Sequence, residues 1–99
     1  ADVVLPSASF AERDGTFTNT ERRVQLLKKV IAPPGESKTD WKIICEVSGK
    51  LGYDMNYAGT SQIMEEIAML TPQYGGITHE RLKKHSLQWR LHKSCMPQY

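Results

Sequence analysis

Gly15-Thr16-Phe17-Thr18-Asn19-Thr20-Glu21-Arg22-Arg23-Val24-Gln25-Leu26-Leu27 is the stretch on which the fold turns. Asp14-Gly15 at its start is a turn dipeptide, because glycine reaches positive φ at no steric cost. The threonines at 16, 18 and 20 favour extended backbone. From Glu21 to Ile31 two periods compete. Val24, Leu26 and Val30 fit one face of a strand, whereas Val24, Leu27 and Ile31 fit one stripe of a helix. The preceding threonines tip the reading to a strand, and Pro33-Pro34-Gly35 ends the segment under either period.

N-terminal to this stretch, Ala1-Asp2-Val3-Val4-Leu5-Pro6 is a short β-branched run closed by proline, which reads as a buried strand. Ser7 to Glu12 is a loop of small residues. On the other side, Ser37-Lys38-Thr39-Asp40 matches the S-x-x-D/E capping box. Trp41, Ile44, Cys45, Val47 and Leu51 then recur at helical spacing, and Gly52 is a C-terminal stop. Thr60 or Ser61 caps a second helix with Ile63, Ile67 and Leu70 on one face and Glu65 and Glu66 on the other. Pro72 ends it, Gly75-Gly76 is a hinge, and Thr78 caps a short third helix reaching about Ser86. The tail from Leu91 to Tyr99 has no periodicity. Strand, turn and strand followed by about three helices predicts an α+β fold. The chain divides into a strand and hairpin segment at 1–36, a helical segment at 37–90 and an irregular tail at 91–99. It opens at Ala1 inside an apolar pattern with no initiator methionine, so we expect a piece of a longer protein.

The 99 residues suffice for one small domain, and 39% hydrophobic with 24% charged residues is an ordinary soluble mix. No apolar run approaches the ~20 residues of a membrane span, and no apolar signal region opens the chain. Neither a membrane protein nor a secretory precursor is expected. A net charge of +2 falls short of a dedicated nucleic-acid module. Arg81, Lys83, Lys84, Arg90 and Lys93 make one segment locally basic, either as a solvated helix face or as a surface for a phosphate or acidic partner. Cys45 and Cys95 form no C-x-x-C pair, and two reduced thiols point to the cytoplasm.

No constellation in this chain makes a self-sufficient catalytic site. His79-Glu80 begins like H-E-x-x-H, but Lys83 stands where the second ligand must be, so no metal site is expected. Ser7 and Ser9 lack the G-x-S-x-G elbow and a partner base, which leaves loop polarity as their account. Glu65 and Glu66 diverge on their helix, and Glu12 and Asp14 flank a turn. Cys45 lies on an apolar face and reads as a small core residue.

Three ordered motifs carry a resemblance to a known family. Asp2-Val3-Val4-Leu5-Pro6-Ser7-Ala8-Ser9-Phe10-Ala11-Glu12 resembles the D-φ-φ-L-P-x-small-small-x-x-E signature of the prokaryotic molybdopterin oxidoreductases. Gly15 to Gln25 is similar to that family's G-x-x-x-N-x-E-R-R-x-Q segment. Pro33-Pro34-Gly35-Glu36-Ser37-Lys38-Thr39-Asp40-Trp41 is similar to its P-G-E-x-K-x-D-W junction. With Leu87-Gln88-Trp89 added, the chain looks most like the alpha subunit of formate dehydrogenase. The nitrate-reductase branch resembles the later stretch less.

The resemblance implies an interior slice of an enzyme that oxidises formate to carbon dioxide at molybdenum or tungsten held by two molybdopterin guanine dinucleotides. The metal ligand and the iron–sulfur cysteines would lie elsewhere in the parent polypeptide, and electron-transfer subunits would be its partners. The slice alone would be inactive, with no catalytic residue or metal ligand of its own. The family's aspartate in the K-x-D junction maps onto Asp40, whose carboxylate could accept the adjacent N1–H and N2–H of guanine in a fork. Helix capping by the same side chain is the alternative, and both can hold. The family's basic residue before the glycine turn maps onto Arg13, suited to a phosphate or pterin oxygen or simply exposed on a turn. Asn19, Glu21, Arg22 and Arg23 read as a structural lattice, with Arg22 and Arg23 on opposite faces of a strand. The competing reading is a non-catalytic interaction module that uses the basic helix.

Overall fold

The computed structural model describes residues 1–89, and the basic positions Arg90 and Lys93 and the tail at 91–99 lie outside them. Among the described residues the architecture is α+β, with a three-stranded antiparallel sheet and three α-helices. The chain forms two compact units, one of Ala1–Asp14 with Lys28–Asn56 and one of Gly15–Leu27 with the chain from Tyr57 onward.

In the second of these, β1 (Gly15–Thr18) pairs antiparallel with β2 (Arg23–Leu27), Gly15 opposite Leu27 and Thr18 opposite Val24. The strand reading of this segment therefore holds. Val24 is buried and Leu26 half-buried on the same face, whereas the strand stops at Leu27 and leaves Val30 exposed. Asn19 closes the hairpin. Its N–H donates to the Arg23 carbonyl at 3.0 Å, and its Oδ1 accepts from the Arg23 N–H at 2.9 Å. Arg22 belongs to this turn and not to a strand face, with φ at 63° in the left-handed region. The alternation expected for Arg22 and Arg23 thus does not apply.

A third strand escapes the periodicity. β3 (Leu87–Gln88) pairs antiparallel with β2, placing Leu87 opposite Val24 and Gln88 opposite Arg23. It is fastened to the hairpin turn. The Trp89 N–H donates to the Arg22 carbonyl and Gln88 Nε2 donates to the Glu21 carbonyl, both at 2.9 Å. The Arg22 guanidinium lies 5.7 Å from the centre of the Trp89 ring, which stacks on Tyr74. Cation–π contact of this kind contributes about 0.5–1 kcal/mol at exposed sites.

Helix α1 (Asp40–Lys50) belongs to the first unit, and α2 (Thr60–Leu70) and α3 (His79–Leu82) to the second. Met64 of α2, Ile77, Leu82 of α3, Leu87 and Val24 form the core, flanked by Leu26, Tyr74 and Trp89. The buried side of α2 is Met64 with half-buried Ile63 and Ala68, so the expected face of Ile63, Ile67 and Leu70 is rotated. Met64 joins Val24 and Leu87 of the sheet in the core, and Leu70 remains exposed. Pro72 stops the helix as expected, in a 3-10 turn over Pro72–Tyr74. Thr78 caps α3 through Oγ1, which accepts from the Arg81 N–H at 3.3 Å. The helix ends at Leu82, short of the expected Ser86, because Leu87 is drawn into the sheet opposite Val24.

The first unit departs further from expectation. Ala1 to Pro6 is no strand, and Val3, Val4 and Leu5 are exposed. Its backbone pairing begins only at Ser7, in a single parallel bridge to Lys38. Pro6 contributes its carbonyl to the Lys38 N–H but has no N–H of its own to extend a ladder. The capping box at Ser37 does not form. Ser37 turns back onto the Pro34 carbonyl with its hydroxyl at 2.7 Å, Gly35 taking φ of 54°, and Thr39 occupies the N-cap position without a side-chain cap. A box contact appears instead over the 3-10 turn Phe10–Glu12, where the Ser9 N–H donates to Glu12 Oε2 at 2.7 Å. The C-terminal stop is at Gly52, with φ of 87°. Gly52 N–H bonds the Gly49 carbonyl and Tyr53 N–H the Ser48 carbonyl, a Schellman closure. The apolar face of α1 is not a core. Ile44, Val47 and Leu51 are exposed and Cys45 only half-buried, since this unit supplies no sheet to cover them.

These packings separate two substitutions. Ile77, 0% exposed, should cost about 2–5 kcal/mol when changed to alanine. Leu51, 82% exposed, should change stability by less than about 0.5 kcal/mol. Urea unfolding of the two variants measures both, and equal losses would contradict this core.

Candidate functional site

Asp40 is the first residue of α1, where an anion is favoured by the helix dipole. Its Oδ1 accepts a hydrogen bond from the Ser7 hydroxyl, and its Oδ2 is ion-paired with an Arg13 guanidinium nitrogen. The two candidates drawn from the resemblance, Asp40 and Arg13, are thus in direct contact, and Ser7 joins them.

Backbone geometry brings the three together. The Ala8 N–H donates to the Lys38 carbonyl at 2.8 Å and the Lys38 N–H to the Pro6 carbonyl at 3.2 Å, so Ser7 is pinned on both sides to Lys38, which stands two residues before Asp40. Ala8 beside it is buried. Arg13 leaves the Phe10–Glu12 turn in extended conformation. Just beyond it, Asp14 Oδ1 accepts from the Lys29 N–H at 3.0 Å, and the Ala11 carbonyl accepts from the Val30 and Ile31 N–H groups.

The Ser7 hydroxyl, and next to it the Arg13 charge, hold the Asp40 carboxyl below its usual range, with partial desolvation opposing them. Asp40 is therefore a carboxylate at neutral pH and no general acid. Its side chain is 52% exposed and that of Arg13 28% exposed, so the pair is open to a ligand. A carboxylate offers about four lone-pair sites, and one protein donor on each oxygen leaves capacity for two more N–H groups. The donor set of a guanine base fits that arrangement.

Alongside, an open groove of about 550 Å³ is lined by Leu5, Pro6, Ile43 and Val47, with Lys38 and Glu46 at its polar side. Lys38 Nζ contacts both Glu46 carboxylate oxygens, at 2.8 and 2.7 Å.

The paired acids of α2 and the basic residues that follow belong to the second unit. Glu65 and Glu66 are exposed on α2, Glu66 accepting from the Tyr57 hydroxyl at 2.5 Å. Lys83 and Lys84 are exposed, whereas Arg81 Nη1 donates to the Gly76 carbonyl at 2.5 Å. Among the described residues, no three His, Cys, Asp or Glu side chains converge, and no helix is long and apolar enough to cross a membrane. Ser7, which the sequence presents as loop polarity, instead gives its hydroxyl to Asp40. It lies 33 positions from Asp40, and nothing local marks a serine whose partner is that distant.

Comparison with known proteins bears on residues 1–50, which include the whole cluster and match the family model described as molybdopterin oxidoreductase. The chain belongs to the molybdopterin oxidoreductase family. It is 57% identical over 93 residues to a Staphylococcus aureus protein provisionally named formate dehydrogenase, a match over 93% of this chain and 10% of that protein. It is 56% identical over 91 residues to the F420-dependent formate dehydrogenase subunit alpha of Methanocaldococcus jannaschii, covering 90% of this chain and 14% of the relative. The chain thus spans between a tenth and a seventh of the length of these relatives.

The electrostatics of this cluster fix a pH dependence. Because the folded state depresses the Asp40 carboxyl, its contribution to stability is present above the unfolded carboxyl value and is lost as pH falls through the lower folded value. Carboxyl carbon NMR of the 99-residue protein should show Asp40 titrating below the usual range. The stability it supplies should be under about 1 kcal/mol, since the ion pair is solvent-accessible. Asp40→Asn should abolish that part of the acid limb in urea unfolding.

Proposed function

We propose that this chain is the cofactor-shell segment of a formate dehydrogenase that carries molybdenum or tungsten on bis-molybdopterin guanine dinucleotide. In this reading Asp40 accepts the N1–H and N2–H of one guanine, and Arg13 balances charge beside a phosphate or pterin oxygen. The observation that carries the reading is the half-exposed, ionised Asp40 carboxylate with acceptor capacity to spare. The names of the relatives favour formate over nitrate as the substrate.

The cofactor, when bound, supplies the metal centre for oxidation of formate to carbon dioxide. The metal ligand and the iron–sulfur cluster belong to the rest of the parent polypeptide, which passes electrons to further subunits in the cytoplasm. What these residues do is bind and orient. Asp40 discriminates by charge and by lone pairs: guanine presents two adjacent donors, whereas adenine presents an acceptor at N1 that two carboxylate oxygens repel. The isolated segment carries no turnover.

Two measurements test the reading. In the full-length protein, Asp40→Ala should lower the guanine nucleotide released on denaturation by about tenfold or more, the scale of one charge-assisted hydrogen bond or above. A wild-type nucleotide content would overturn it. The isolated 99 residues should bind guanosine monophosphate no tighter than about 1 mM by calorimetry, because two such bonds supply about 3–6 kcal/mol and the cost of ordering base and side chains takes back part of it.

A further inference from the structure

We propose that Ser7 is a positioning residue for the guanine site, holding the Asp40 carboxylate in the one orientation that turns its remaining lone pairs outward. The proposal rests on the reading that Asp40 receives the base, and it adds a residue whose only route to the ligand is through Asp40.

The geometry separates this from ordinary loop polarity. A serine side chain in a mobile loop has three rotamers and solvent as its partner, so its hydrogen bonds carry little orientation. Ser7 instead has backbone bonds on each side of it, Pro6 carbonyl to Lys38 N–H and Ala8 N–H to Lys38 carbonyl. Those bonds tie it to the strand-like residue two positions before Asp40, and its hydroxyl then falls on Oδ1. Arg13, six positions further along the same stretch, takes Oδ2.

Each oxygen therefore receives one protein donor, and rotation of the carboxylate about its last bond breaks both contacts. A fork to guanine needs the two oxygens coplanar with the base, so a pre-set carboxylate binds at a smaller ordering cost than a free one. Ser7 has one proton to give, and the Ala8 carbonyl at 3.4 Å is its more distant acceptor; giving the proton to Oδ1 commits that oxygen to remain an acceptor. The charged group facing Asp40 is Arg13, which alone leaves the carboxylate free to pivot about Oδ2. The hydroxyl is also the foremost influence keeping this carboxyl ionised below its usual range, so its removal should be felt first in acid.

The test uses the full-length protein with Ser7→Ala, Ser7→Thr and Asp40→Asn, each passed through gel filtration at graded pH. Guanine nucleotide retained by the protein is quantified by chromatography, and thermal unfolding is followed alongside. We expect Ser7→Ala to retain about tenfold less nucleotide under dilution and to shift the acid limb of retention to higher pH. Ser7→Thr, which keeps the hydroxyl, should restore both. If Asp40→Asn loses the nucleotide while Ser7→Ala keeps the wild-type level and acid limb, the role of Ser7 is overturned and the guanine reading stands. A loss in Ser7→Ala that is uniform across pH and not restored by threonine also overturns it, because that pattern marks a folding defect. If Asp40→Asn keeps its nucleotide, the guanine reading fails and this role fails with it. A second readout needs no cofactor: in the 99-residue protein, Ser7→Ala should raise the Asp40 carboxyl titration toward the ordinary range, and an unmoved titration would overturn the contact.

Discussion

One carboxylate organises the first unit. Asp40 gathers Ser7 and Arg13, residues far from it in the chain, onto the opening turn of α1. The pair with Arg13 is too accessible to solvent to add much stability. Its persistence comes from the backbone around it, where a single parallel bridge fixes Ser7 and the 3-10 turn at Phe10–Glu12 aims Arg13. The contact is therefore better understood as setting an orientation than as holding a fold. In the proposed reading, that orientation suits a ligand met by two oxygens at a defined angle.

Helix α1 shows the same separation of shape from stability. An isolated helix of 11 residues is marginal in water, and this one buries no side chain. It is closed by the Schellman arrangement at Gly52, braced by the Lys38–Glu46 pair, and begun with an acid at the positive end of its dipole. Ile44, Val47 and Leu51 form an open apolar face, consistent with a chain that spans a small fraction of its relatives' length.

The second unit depends on β2. It is the central strand, and Val24, 1% exposed, meets Leu87 from β3 and the side chains of α2 and α3. The turn preceding it holds Arg22 in left-handed conformation, which costs a non-glycine residue roughly 1–2 kcal/mol. Trp89 and Gln88 bond the carbonyls of that turn, so the strain is offset by the contacts that register β3.

Much of this was open to a reader of the chain alone. Alternation at Val24 and Leu26 after a threonine run identified the hairpin, Gly52 and Pro72 marked two helix ends, and Thr78 marked a helix start, because these signals act within a few residues of backbone. The motifs at both ends of the first unit led to Arg13 and Asp40. What tertiary structure alone decided involves partners distant in sequence. Leu87–Gln88 is too short for any period and becomes a strand only beside Arg23 and Val24. Ser37 has the composition of a cap but spends its hydroxyl on Pro34. The run at Val3 to Leu5 has strand propensity and stays exposed, since burial requires a covering surface that propensity does not provide. Ser7 meets Asp40 only because the chain folds Lys38 against it, for a hydrogen bond across 33 residues leaves no trace in local spacing.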